Sequence, residues 1–181
     1  MQRRGGVLGA FSAVFKPKAD FIPLPYVKNL HALSQCAQCE GACATICPEQ
    51  IIIKAQGSAP YLNFMIGGCT FCGECARECV NLWAECAPLE LTHTANAQNS
   101  AQITESSPKD CIAAKVSINP LSCLAWQKTT CVSCKDACGE NAIIFSAGLY
   151  PEVDMGRCSA CGACYARCPS FSISITSTLV G

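Results

Sequence analysis

Short apolar runs separated by glycine-containing turns occur twice along the chain. In the first half, an isoleucine run at 51–53 is followed by a turn at 57–60 and a second apolar run at 61–64. In the second half, residues 143–145 and 150–153 repeat this arrangement around another glycine. β-Branched and aromatic runs on both sides of a short turn are typical of β-hairpins. The pattern therefore predicts one small hairpin in each half.

Two further stretches in the second half alternate between apolar and other residues, as expected for strands with one buried face. Their apolar positions are Ile112, Ala114, Val116 and Ile118 in one stretch, and Phe171, Ile173 and Ile175 in the other. We expect these strands to pair and to bring the ends of the half together. Between the halves, residues 92–110 contain no cysteine and few large apolar residues, which is typical of a linker or a long surface loop.

Cysteine is the outlier of the composition, with 18 residues among 181. Most of the cysteines fall in four compact groups: Cys36, Cys39, Cys43 and Cys47; Cys69, Cys72, Cys75 and Cys79; Cys131, Cys134 and Cys138; and Cys158, Cys161, Cys164 and Cys168. Groups one and three share a C-x2-C-x3-C spacing, and groups two and four share C-x2-C-x2-C-x3-C, so a pair of groups is the repeat unit. Such a density indicates a disulfide scaffold, structural zinc or iron–sulfur clusters.

The cellular compartment separates the disulfide scaffold from the two metal sites. Arg3 and Arg4 precede a short apolar run at 5–15, and one interpretation is a twin-arginine export signal. That run holds three glycines and no small-residue cleavage signal follows it, which favours a basic N-terminal arm. No stretch of about 18 apolar residues is present, so we expect no membrane-spanning helix. The sequence therefore predicts a cytoplasmic protein whose clustered thiols ligate metal.

Charge and motif content exclude several classes of function. Lysine plus arginine balance aspartate plus glutamate at 13 each, so no global positive field attracts nucleic acid. No glycine-rich nucleotide fingerprint and no nucleophile–base pair lie near the cysteine groups, so we expect no active site of the chain's own. His31 and His93 lie outside all groups, which argues against a Rieske centre because that needs paired histidines.

Spacing separates zinc from iron–sulfur. Four zinc sites would also use sixteen thiolates (about four each), but zinc is normally held by C-x2-C knuckles. Here the spacing gives triplets with a fourth cysteine three residues on, twice followed by proline, at Pro48 and Pro169. In bacterial ferredoxin runs the three clustered cysteines hold one [4Fe–4S] cube and the fourth ligates the partner cluster. The spacing therefore predicts four [4Fe–4S] clusters.

This crossed ligation predicts the ligands of each cluster. They are Cys36, Cys39, Cys43 and Cys79 for cluster 1; Cys69, Cys72, Cys75 and Cys47 for cluster 2; Cys131, Cys134, Cys138 and Cys168 for cluster 3; and Cys158, Cys161 and Cys164 for cluster 4. Cluster 4 lacks a fourth ligand, because Ala142 stands at the position that we expect to correspond to Cys47.

Cluster 4 is therefore either a three-cysteine cluster or takes a cysteine from elsewhere. Cys123 is the favoured replacement because it lies just upstream of group three, at the end of the predicted strand from 112 to 118. Cys111 is the less favoured source. With Cys123 as the ligand, Cys86 and Cys111 are ordinary thiols.

The paired groups resemble bacterial two-cluster ferredoxins, duplicated. The stretch 123–145, CLAWQKTTCVSCKDACGENAIIF, is more specific. Its Cys-Leu-Ala, then C-x2-C-x3-C, then Ala-Ile-Ile-Phe without a fourth cysteine resembles the NapF family, the ferredoxin-type accessory proteins of periplasmic nitrate reductase. The resemblance runs from about Cys36 to Cys168, and it independently supports Cys123 as a ligand.

The resemblance implies an α+β fold of two tandem bacterial 2[4Fe–4S] ferredoxin-like units, with small β-hairpins and short helices around the clusters. We expect an N-terminal basic arm at 1–29, a first two-cluster unit at 30–91, a linker at 92–110 and a second two-cluster unit at 111–181.

The resemblance also implies a function. The expected protein is a cytoplasmic electron-transfer and maturation factor, not an enzyme, whose partner is the catalytic subunit of periplasmic nitrate reductase before that subunit is exported. The alternative is an electron-transfer subunit of a larger oxidoreductase, which would co-purify with its complex. A membrane-associated quinol-oxidising subunit would need an export signal or a spanning helix.

Overall fold

The computed structural model describes residues 21–27, 31–83 and 110–178. Helices and strands in these ranges are a 3₁₀ helix at His31–Gln38, α1 (Ala42–Ile46), β1 (Ile52–Ile53), β2 (Tyr61–Leu62), α2 (Glu74–Trp83), β3 (Ala114–Ile118), α3 (Ser133–Asp136), β4 (Ile143–Ser146), β5 (Tyr150–Val153), α4 (Ala163–Ala166) and β6 (Ile173–Ser177). The predictions made for Arg3, Arg4, Cys86 and His93, and for nearly all of the linker, lie outside the described residues.

The two predicted hairpins are confirmed. Strands β1 and β2 pair antiparallel, with Ile52 opposite Leu62. Strands β4 and β5 also pair antiparallel, with Ile143 opposite Val153. Each hairpin lies between two consecutive cysteine groups, after α1 in the first half and after α3 in the second. Mixed helices and small two-stranded sheets give the α+β content that the sequence predicts.

The pairing of the two alternating stretches is also confirmed. Strand β3 pairs antiparallel with β6, from Ala114 opposite Ser177 to Ile118 opposite Ile173. One face of this ribbon is buried and the other faces solvent, where the hydroxyls of Ser117 and Ser174 lie 2.8 Å apart. Alternation with a period of two is what places apolar side chains on a single face.

Both halves contribute to one apolar core. Ile51, Leu62 and Phe64 of the first half belong to the same buried cluster as Ile112 and Val116 of the second. Each of these side chains is at most 3% exposed. The division into two tandem units stays a prediction, and the described halves pack against each other through this core.

Residues 21–25, at the end of the basic arm predicted for 1–29, pack against the core. Ile22 and Leu24 are buried in the core, and the carbonyl of Ile22 accepts a hydrogen bond from Leu62 N at 2.9 Å. The physical reason is local composition, because this end of the expected arm is an apolar, proline-containing run without lysine or arginine. Across the described ranges, no helix combines the length and the apolar character that crossing a membrane requires.

Candidate metal centres

Short helices and the loops before them carry the cysteines. Cys43 lies on α1, Cys75 and Cys79 on α2, Cys134 on α3 and Cys164 on α4. Every cysteine that the structure describes has a free thiol, so the disulfide scaffold is not formed in this part of the chain. The effects of these thiols on one another's pKa and the hollows that they line define four sets, which we call sites A, B, C and D.

Site A consists of Cys36, Cys39, Cys43 and Cys79. Burial raises the pKa of the Cys43 thiol to about 11, with further increases from the charges of the other three. Burial raises the pKa of Cys36 as well, and its largest charged neighbour is Cys79. Helix α2 therefore places Cys79 near the first group, and the ligation of cluster 1 by these four cysteines stays a prediction.

Site B consists of Cys47, Cys69, Cys72 and Cys75, and all four line one hollow. Burial raises the pKa of Cys75 to about 12, and the neighbouring thiols add to this effect. Burial also raises the pKa of Cys69 to about 11. The structure thus places Cys47 beside the second group, and the ligation of cluster 2 by these four cysteines stays a prediction.

Site C consists of Cys123, Cys131, Cys134 and Cys168, which line a second hollow beneath β5 and β6. Burial raises the pKa of Cys134 to about 11, and the Cys123 thiol is the next largest cause. Site D consists of Cys138, Cys158, Cys161 and Cys164, which line a third hollow. Burial raises the pKa of Cys164 to about 12, and the charges of its three partners in site D raise it further.

Sites C and D differ from the predicted clusters 3 and 4 by an exchange of two cysteines. The sequence grouped Cys138 with cluster 3 and Cys123 with cluster 4, whereas the structure places Cys138 in site D and Cys123 in site C. Cys111 is exposed and does not line the described wall of site D. With Cys138 present, site D has four cysteines and needs no replacement for Ala142.

The physical reason for the exchange lies in the loop after the bridging cysteine, by which we mean the last cysteine of a group, which joins the site of the partner group. Cys47 and Cys138 each precede a hairpin, and the third residue after each has a positive φ, 55° at Gln50 and 50° at Asn141. Ala142 therefore corresponds to Ile51, and Cys138 corresponds to Cys47. The sequence contains a signal for this correspondence. The loops after Cys47 and Cys138 align when residues are counted backwards from the isoleucine run that follows each loop, but not when they are counted forwards from the first cysteine of each group.

Backbone amides point at several of the sulfurs. Phe71 N lies 3.4 Å from Cys69 Sγ, and Ala160 N lies 3.4 Å from Cys158 Sγ. Phe71 and Ala160 both have φ near 55°, so the same left-handed turn recurs in sites B and D. Gly41 N makes the equivalent approach to Cys39 in site A at 3.4 Å. These amides satisfy part of the hydrogen-bonding capacity of the sulfurs.

Serine hydroxyls surround the sulfurs of site C. Ser172 Oγ lies 3.2 Å from Cys168 Sγ, and Ser172 N donates to the same sulfur at 3.3 Å. Ser170 Oγ lies 3.7 Å from Cys168 Sγ and 3.3 Å from Ser172 Oγ. Burial acts to raise the pKa of Cys168, but these hydrogen bonds outweigh it and hold that pKa below its usual value.

The sites follow one another in space in the order A, B, D, C. The charge of Cys43 in site A raises the pKa of Cys75 in site B, and the charge of Cys134 in site C raises the pKa of Cys164 in site D, so each pair of sites is adjacent. Between the halves, Cys69 N donates to the Cys161 carbonyl at 2.7 Å, which joins sites B and D through a single backbone hydrogen bond.

Two glycines permit this junction between the halves. A Cβ atom built on Gly68 would lie 2.6 Å from Ala163 N, and one built on Gly162 would overlap the ring of Phe64. Gly162 also has φ of +83°, a conformation that side chains disfavour. The halves therefore approach each other closely at these two glycines.

The chemistry of the thiol sets fits iron–sulfur ligation. Neighbouring thiols that are partly shielded from water resist ionisation, and the raised pKa values of Cys43, Cys75 and Cys164 show this effect. Ligation to iron reverses this balance, because the metal compensates the thiolate charge. The sites have a set of four cysteine sulfurs in common, and a set of four sulfur donors suits a soft metal centre.

Comparisons with known proteins agree with this chemistry. Residues 151–174 match the family model of the 4Fe–4S binding domain. The chain is 30% identical over 148 residues to the ferredoxin-type protein NapF of Escherichia coli K12, covering 80% of this chain and 77% of that protein. It is 28% identical over 188 residues to the ferredoxin-type protein NapF of Haemophilus influenzae, covering 97% of this chain and 93% of that protein.

Proposed function

Because the chain belongs to the ferredoxin-type NapF family, we propose that it carries four [4Fe–4S] clusters, one in each of sites A to D. At the coarser level it is an iron–sulfur electron-transfer protein of the ferredoxin type. The observation that carries the proposal is the assembly of sixteen described thiols into four sets of four, three of them around hollows.

Each proposed cluster would accept and release single electrons, and the chain's own groups would set its reduction potential. The sixteen cysteines would hold the irons, and the amides of Gly41, Phe71 and Ala160 would stabilise negative charge on the sulfurs. The spatial order A, B, D, C gives a path along the whole described molecule. The backbone contact between Cys69 and Cys161 is the step of that path that crosses between the halves.

The cluster count has a direct test. Protein reconstituted anaerobically should contain about sixteen irons and about sixteen sulfides per chain, four of each per cluster. A folded protein that loads zinc in place of iron, and remains colourless, would contradict the proposal. A count of about twelve would mean that one of the four sites does not hold a cluster.

We further propose that the protein acts in the cytoplasm on the catalytic subunit of a periplasmic nitrate reductase before that subunit is exported. This proposal is supported by family membership and by the resemblance of residues 123–145 to accessory proteins of that enzyme. Its role would be to supply electrons during maturation of the subunit.

A combined fractionation and pull-down tests the partner. The tagged protein should be found in the cytoplasmic fraction, and it should capture the unexported, cofactor-poor catalytic subunit more strongly than the mature form. Equal capture of both forms, or location in the periplasm, would instead support a permanent electron-transfer subunit. A variant with Cys123 replaced, which should lack the site C cluster, serves to show whether capture depends on the clusters.

A further inference from the structure

The loops that follow the bridging cysteines of sites B, D and C are equivalent, but they carry different polar residues. The second residue after the cysteine is Glu49 in site B, Glu140 in site D and Ser170 in site C. Each of these three residues lines the hollow of its site. A carboxylate therefore stands at the edge of sites B and D, where site C has a hydroxyl.

The fourth residue after the cysteine differs in the same direction. It is Ile51 in site B, Ala142 in site D and Ser172 in site C. Ser172 is 3% exposed, and its hydroxyl lies 3.2 Å from Cys168 Sγ. Because a thiolate offers only acceptor capacity, this hydroxyl donates to the sulfur when Cys168 ligates iron. Ser170 Oγ donates in turn to Ser172 Oγ, which fixes the orientation of the second hydroxyl.

Both differences act on the same property. Hydrogen bonds to the sulfurs and the net charge around a cluster are among the factors that set its reduction potential. A donor to the sulfur stabilises the additional electron of the reduced state, and a nearby carboxylate destabilises it. At the second and fourth residues after the cysteine, site C has two hydroxyl donors and no carboxylate. Sites B and D each have a carboxylate at the second residue and an apolar residue at the fourth.

We propose that the centre in site C has a higher reduction potential than the centres in sites B and D, and that Ser172 sets this difference by its hydrogen bond to Cys168. This inference rests on the proposed function, since it requires clusters in these sites. Ser172 is a positioning residue, because it acts on the cluster through the ligand. An electron in site B or site D would then move towards site C, at the end of the order A, B, D, C.

The test is an anaerobic redox titration of the iron-loaded full chain, with dithionite as reductant and electron paramagnetic resonance as the readout. Ser172→Ala should lower the potential of the site C component while the iron content stays unchanged. Ser174→Ala is the matched control, because its hydroxyl lies two residues further on, on the solvent face of β6, and bonds Ser117 instead. It should leave all potentials unchanged.

Two further variants keep the result decisive. Cys123→Ala should remove the component that Ser172→Ala shifts, which assigns that component to site C. Glu140→Gln, at an exposed residue, should raise a different and lower component, that of site D. The proposal is overturned if the component that Cys123→Ala removes does not lie above the one that Glu140→Gln shifts, or if fully loaded Ser172→Ala shows unchanged potentials. Failure of the wild-type chain to load iron would overturn the proposed function instead, and the two failures are distinguished by the iron count.

Discussion

Replacing Cys123 and Cys168 together by alanine should remove no more iron than replacing either one alone. Both belong to site C, so either single variant and the double variant should each retain about twelve of about sixteen irons, because each cluster contains four. Replacing Cys123 and Cys161 together removes ligands from sites C and D, and should leave about eight irons. Iron and sulfide analysis after anaerobic reconstitution measures all of these counts.

The grouping predicted from spacing alone gives the opposite result for the same variants. With Cys123 in cluster 4 and Cys168 in cluster 3, the first double variant would lose two clusters and the second only one. The experiment therefore discriminates between the two assignments without a structure of the loaded protein. Cys111→Ala provides the control, because this exposed thiol lies outside the four sets and its loss should not change the iron content.

The second large effect is expected at the junction between the halves. Gly162→Ala adds a methyl group that overlaps the buried ring of Phe64, in a backbone conformation with φ of +83°. Overpacking typically costs about 1–3 kcal/mol and a left-handed backbone about 1–2 kcal/mol for a residue with a side chain, so we expect a loss of about 4 kcal/mol. Unfolding in guanidinium, followed by the visible absorption of the loaded protein, measures the change.

Two other glycines separate the steric part of this effect from the backbone part. Gly57 and Gly148 have φ of +71° and +74°, and a Cβ atom at either position meets nothing within 4 Å. Gly57→Ala and Gly148→Ala should therefore cost only about 1–2 kcal/mol, the backbone part. A partial recovery is expected when Gly162→Ala is combined with Phe64→Leu, because residues in contact are not additive. If Gly162→Ala costs no more than Gly57→Ala, the halves do not pack as the structure has them.

Local patterns predicted the strands well because each pattern has a single structural solution. The isoleucine runs flanking a glycine turn form hairpins, and the alternation from Ile112 to Ile118 places one face of β3 in the core. The grouping of Cys123 and Cys138 depended instead on which residues of two unequal loops correspond. Two residues separate Cys131 from Cys134 in group three, whereas three residues separate the corresponding Cys39 and Cys43 in group one. An alignment that starts from the first cysteine of each group therefore pairs the wrong residues.

The packing of the halves could not be predicted from local patterns. Gly162 and Gly68 look like ordinary turn glycines in the sequence, and only the structure shows that Phe64 and Ala163 approach them from the other half. The burial of Ile22 was missed for a related reason. Its hydrogen-bond partner is the backbone of Leu62, which is distant in the sequence, and no periodic pattern of residues links the two positions.

The bridging cysteines also have a topological consequence for assembly. In each half the ligands close two loops, one inside the other: Cys47 to Cys69 lies within Cys43 to Cys79, and Cys138 to Cys158 lies within Cys134 to Cys168. Each inner loop contains a hairpin, which already holds its ends near each other. Closing a shorter, preorganised loop costs less chain entropy than closing a longer one. With the proposed ligation, metal uptake in sites B and D would shorten the flexible loops that ligation in sites A and C must close. In each half, the inner site would therefore assemble before the outer one.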